Sequence, residues 1–129
     1  MNLSREKQSA RMLKAMDNPN CNIIAHPTGR LIGSREPYPL DIERVIEHAV
    51  ETGCILEVNA QPDRLDLNDV HCRMAHDAGV KLAIGTDAHK ESHFDFMRHG
   101  VDQARRGWVT REDVVNTLSL GELRKALAR

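Results

Sequence analysis

Three short apolar runs, CNIIA at 21–25, CILEVN at 54–59 and KLAI at 81–84, recur at steps of about 30 residues, with helical patterns between them. This alternation constrains the fold more than any other feature. Short runs rich in Ile, Val and Leu read as strands buried on both faces. Strands joined through a helix return to the same end of the sheet and so lie parallel.

The helical patterns have recognisable ends. Ser4 can cap a helix that runs to about Asp17, and Pro19 stops it. Asp41 caps a second, whose Ile42, Val45, Ile46, Ala49 and Val50 share one face, and Gly53 ends it. Asn68 caps a third, with Val70, Met74, Ala75 and Ala78 on its apolar side, closed by Gly79. From Phe94 onward the pattern predicts short helical pieces broken at Gly100 and Gly107. Thr110 caps one helix through Val114, Val115 and Leu118, and Ser119 caps a last one. The predicted order is α-β-α-β-α-β-α. Residues 27–40, with three prolines and two glycines, form a long loop, and AQPDRLDL at 60–67 forms a polar one.

Composition narrows the function. Lys plus Arg is 18 and Asp plus Glu 19, a formal charge of −1, so no global basic field draws in nucleic acid. Aromatic residues are 3%, too few for stacking platforms. No apolar stretch approaches the roughly 20 residues of a membrane span. The polar start MNLSREKQSARMLKAMD does not read as a signal peptide. Three cysteines without C-x-x-C spacing read as buried thiols of a reducing cytoplasm.

Each strand ends in polar residues: His26 after the first, Asn59 at the second, Asp87 and His89 after the third. In a parallel sheet these ends share one edge, where both barrels and open α/β sheets build their sites. Imidazole and carboxylate together suit a divalent metal. An extended D-x-H would point Asp87 and His89 the same way. Alone, such a tripeptide is equally an Asx-turn with a solvated histidine; His26 at a neighbouring strand end makes the metal reading competitive. Arg30, Arg35 and Arg64 in the loops of this edge, with Lys90 beyond, suit a phosphate, although loops commonly carry solvated basic residues. Glu57 shares a strand side with Asn59 and serves either the site or a buried ion pair. His48, His71, His76, His93 and His99 read as ordinary surface or packing residues.

Several segments resemble the PHP (polymerase and histidinol phosphatase) domain of bacterial family X DNA polymerases: IIAHPTGRLIG at 23–33, REPY at 35–38, LEVNAQPDRLDLND at 56–69, GTDAH at 85–89 and ARRGW at 104–108. HPTGR and NAQPDRLDL are specific to that branch, whereas the terminal D-x-H is general to PHP proteins. The resemblance implies an α/β fold, a distorted (βα) barrel of TIM-like type with seven strands. It implies up to three Mn or Zn ions and a 3′→5′ exonuclease acting on DNA ends in repair. His26, Asp87 and His89 fall on metal-ligand positions; Thr28, Arg30, Asn59 and Arg64 fall where substrate is held.

The first PHP motif, H-x-H, is not among these 129 residues, and only three strands are legible. The chain is therefore expected to be a single domain over 1–129, the C-terminal portion of a PHP domain. Three ligands would hold at most one ion, weakly. The missing N-terminal half, or a second copy pairing as a homodimer through an exposed sheet edge, is expected as partner. DNA 3′ ends would be met through the full-length protein. A histidinol-phosphatase-like phosphomonoesterase and an inactive truncated fragment are the alternatives.

Overall fold

A computed structural model describes residues 3–129. Five α-helices alternate with three parallel strands in the order β1-β2-β3, an open α/β sheet of the kind a partial barrel contains. Helix α1 spans Arg5–Met16, strand β1 Ile23–Ile24, helix α2 Ile42–Thr52, and strand β2 Ile55–Asn59. Helix α3 follows over Asp69–Ala78, then strand β3 over Leu82–Gly85, helix α4 over Met97–Arg106 and helix α5 over Leu120–Leu127.

The expected caps are in place. Ser4, Asp41, Asn68 and Ser119 each accept a hydrogen bond from a first-turn N–H. Gly53 (φ 72°) and Gly79 (φ 81°) end α2 and α3 in the left-handed conformation that favours glycine.

Register fixes which residues face the helices. Ile24 pairs with Leu56, Leu56 with Leu82, and Val58 with Ile84. These join Val45, Ile46, Ala49, Cys72 and Ala75 in one core. Each such buried aliphatic side chain contributes about 1.5–3 kcal/mol. The opposite face carries Ile23, Ile55, Glu57, Asn59, Ala83 and Gly85. At the far end of the sheet, Arg129 donates to the carbonyls of Met16, Cys21 and Thr52, tying the C-terminal segment beneath β1 and β2.

Three local expectations are corrected. Gly100 does not break a helix but lies inside α4. A Cβ there would come 2.6 Å from Ile84 Cγ2 and 2.8 Å from Ala60 Cβ, so glycine is required by close packing rather than by a turn. Thr110 opens no α-helix: residues Arg111–Asp113 and Val115–Thr117 are separate 3₁₀ turns. The loop at 60–67 is polar by composition but not by position, because Asp66 and Leu67 are both fully buried.

The sheet edges are also less open than three bare strands suggest. Leu82 bridges Val114 in parallel. Beyond it, the Asn116 side chain accepts from Ile84 N (2.8 Å) and donates to Ile84 O (2.9 Å), standing in for a neighbouring strand. The β1 edge is only two residues long. Among the described residues no helix is long and apolar enough to cross a membrane.

Candidate metal centre

His26, Glu57, Asn59 and Asp87 meet at the C-terminal edge of the sheet through one chain of hydrogen bonds. The His26 N–H donates to Glu57 Oε2 at 2.6 Å. Asn59 Nδ2 donates to the same Glu57 oxygen at 3.4 Å and to Asp87 Oδ2 at 3.1 Å. Gln61 N donates to Asn59 Oδ1 at 3.1 Å, which fixes the orientation of the amide. Asn59 thus holds two carboxylates beside each other while remaining wholly buried. Burial pushes the Glu57 carboxyl above its ordinary range, with the His26 N–H and the Asn59 amide opposing.

Backbone conformation shapes the same edge. His26 (φ 30°) and Asp87 (φ 49°) are both left-handed, an uncommon state for non-glycine residues and one concentrated at functional sites. Strand β3 ends at Gly85, so the extended alternation expected to align Asp87 with His89 does not apply. Instead the chain turns, and His89 Nδ1 returns to the Asp87 carbonyl at 2.7 Å.

That contact sets a tautomer. A carbonyl only accepts, so the neutral His89 ring carries its proton on Nδ1 and leaves the Nε2 lone pair free. A backbone-anchored imidazole with one bare nitrogen is the usual preparation of a metal ligand. His93 is set the other way. Its Nδ1 faces the His89 N–H (3.2 Å) and the Gln61 side-chain amide (3.3 Å), both donors, so the proton of its neutral ring sits on Nε2. Gln61 Nε2 also donates to the carbonyls of Thr86 and Asp87, each at 2.8 Å, locking the GTDAH turn to the end of β2.

A second buried carboxylate organises the HPTGR loop. Asp66 accepts from Thr28 N (3.0 Å) and Gly29 N (2.9 Å). Burial raises its pKa, while the Thr28 hydroxyl, these two N–H groups and the Arg30 charge draw it down. Arg30 gives Nε to the Arg64 carbonyl (2.6 Å) and Nη2 to that of Leu65 (2.5 Å). Arg64 Nη1 reaches back to the Arg30 carbonyl at 3.4 Å. Gly29 (φ 64°) has no room for a side chain, since a Cβ would fall 2.1 Å from the Tyr38 ring.

His26, Asn59 and Asp87 are therefore connected, and His89 hangs from Asp87, whereas Arg30 and Arg64 bind mainly to each other's loops. Thr28, within the HPTGR loop, is buried. The donors are chemically suited to a divalent ion. Their number is not: among the described residues no three His, Cys, Asp or Glu side chains stand close enough together to hold one. The remaining histidines separate in role. His48 contacts Asp17 (2.7 Å) and Glu51 (3.1 Å), and His76 contacts Asp113 (2.8 Å). His93 joins the site, and His71 lies in a different cleft. Gln61, Asp66 and His93 were not legible as participants in composition or period. Their signal was position, within or just beyond the NAQPDRLDL and GTDAH segments.

No family model matches the chain. Over 119 residues, 92% of its length, it is 46% identical to the DNA polymerase/3'-5' exonuclease PolX of Bacillus subtilis. The chain belongs to the PHP family. Other PHP relatives are named probable phosphatases. One, from a Thermoanaerobacter species, is 27% identical over 128 residues, and one from Syntrophotalea carbinolica is 31% identical over 112. The chain spans 21% of PolX and 49% and 44% of these two phosphatases.

Proposed function

We propose that this chain supplies one part of a PHP-type, metal-dependent phosphoesterase site, with a DNA 3′ end as the substrate presented to it. The 46% identity to a named 3'-5' exonuclease, extending over nearly the whole chain, carries this reading. His89 through Nε2, Asp87 through its carboxylate and the His26 ring would each offer a donor to an ion, Mn or Zn, that needs more donors than the described residues of this chain bring together. A bound divalent ion supplies Lewis-acid polarisation of a phosphoryl oxygen and lowers the pKa of a bound water. The chain's own residues do the positioning. Asn59 restrains the Asp87 carboxylate, the Asp87 carbonyl orients His89, and Asp66 with Arg30 and Arg64 sets the Thr28-Gly29-Arg30 loop. The ligand set requires further donors, in keeping with the chain being the C-terminal portion of a PHP domain that completes its site with the remainder. The free thiols fit a reducing cytoplasm.

The named phosphatases favour a second reading, hydrolysis of a small phosphomonoester. A single comparison separates the outcomes: Mn-dependent release of nucleotides from a 3′-labelled oligonucleotide against hydrolysis of p-nitrophenyl phosphate, by the 129-residue chain. Shortening of the oligonucleotide supports the exonuclease reading. Turnover of the monoester alone favours the phosphatase. Bound metal without either activity identifies a fragment that folds but does no chemistry by itself. In a complete PHP domain, an Ala substitution at the position of His26 should lose metal and activity together.

A further inference from the structure

Beside the HPTGR loop lies a cleft of about 590 Å³ that the candidate metal centre does not use. Its walls are the 28–37 loop and the start of α3, including Thr28, Arg30, Arg35, Asn68 and His71. Two residues of this lining each carry a buried polar atom without a hydrogen-bond partner, Thr28 Oγ1 and His71 Nδ1. Thr28 is 5% exposed. Its hydroxyl stands close enough to the Asp66 carboxylate to draw that group's pKa down, and has no other partner. Buried polar groups are rarely left unpaired, so two on one cleft point to a ligand.

The lining is rich in donors. Arg35 gives Nε and Nη2 to the Gly29 carbonyl, and Arg30 is held by the carbonyls of Arg64 and Leu65. Each guanidinium keeps Nη1 without a recorded partner among the described residues. The α3 N-terminus adds its positive end to the same cleft. Glu36 is the one carboxylate on the lining, and Asp66 behind it is already engaged by the N–H groups of Thr28 and Gly29. Hydroxyl, imidazole and two guanidinium groups together suit a phosphate.

We propose that this cleft binds a backbone phosphodiester of the nucleic-acid strand whose end reaches the candidate metal centre. Thr28 stands two residues from His26 on one loop, so a ligand occupying both places is a strand rather than a small ester. The proposal rests on the nucleic-acid reading of the function. It differs from it in needing no metal.

The test is a titration of the isotopically labelled 129-residue chain, without metal, followed by amide chemical shifts. One arm uses a thymidine dinucleotide with a single internal phosphodiester, the other inorganic phosphate. The expected result is that the dinucleotide shifts the Thr28, Asn68 and His71 amides. Thr28→Val and His71→Leu should each weaken that binding at least fivefold, and Thr28→Ser should restore it. Both weakening variants remove an unpartnered polar atom, so their melting temperatures should equal or exceed the parent's; a structural role would lower them instead. Unmoved amides, or variants that bind like the parent, overturn the proposal. Binding of inorganic phosphate without the dinucleotide overturns the strand assignment. Dinucleotide binding in a chain whose Asp87→Asn and His89→Gln variants take up Mn²⁺ as strongly as the parent refutes the proposed metal centre while leaving the cleft intact.

Discussion

Gly85 shows how tightly single residues are fitted at the candidate centre. A Cβ at this position would come 2.9 Å from Glu57 Oε1, so the first residue of GTDAH is small because a carboxylate occupies the space beside it. That carboxylate is costly to ionise. The folded-state pKa of Glu57 is raised, chiefly by burial. A raised carboxyl pKa contributes stability that is full below the ordinary glutamate range and is lost as pH rises through the folded value. Asp66 acts in the same direction. For Asp113, burial raises the pKa, but bonds from Thr110 and His76 outweigh it and lower the value, so its contribution is lost as pH falls. Glu57→Gln keeps an acceptor for the His26 N–H and removes only the first of these contributions. Urea unfolding at about pH 4 and about pH 7 should show the parent losing ground to the variant as pH rises. A pH-independent difference would contradict the assignment.

At the scale of elements, two glycines in helices should respond oppositely to alanine. Gly100→Ala drives a methyl into Ile84 and Ala60, and overpacking of this kind costs about 1–3 kcal/mol. Gly121 in α5 has nothing within 4 Å of its Cβ position, so Gly121→Ala should stabilise by about 0.5 kcal/mol through helix propensity. Denaturant midpoints of the two variants test the pair. The sequence made the elements legible because their signals are local: caps at Ser4, Asp41, Asn68 and Ser119, glycine stops at 53 and 79, and apolar runs at a fixed step. It misread Gly100, because a close approach between α4 and the sheet is a property of two distant segments. For the same reason His26, Asp87 and His89 could be placed on one edge by topology. The bridge Glu57–Asn59–Asp87 and the left-handed turns that aim these residues leave no periodic trace. Asn116 is a further case, a polar residue in a tail that completes a strand edge. Asn116→Leu leaves the Ile84 N–H and carbonyl unpaired and should cost about 1–3 kcal/mol. Sedimentation of that variant should also show more self-association than the parent if the amide is what blocks the β3 edge.

For the whole molecule, the helices and the helix-facing side of the sheet form a continuous core, and the chemistry-bearing residues lie along one edge. The order of strands and the tether of Arg129 keep that edge and the opposite end apart, so the C-terminal segment and the candidate centre do not compete for space. We propose that the GTDAH turn and His26 contribute donors to the metal centre of a PHP phosphoesterase site. Calorimetric titration of Mn²⁺ into the 129-residue chain and its Asp87→Asn and His89→Gln variants tests it most directly. One weakly bound ion per chain is expected, with affinity reduced about 10-fold or more in each variant. Binding of equal strength in all three proteins would contradict it.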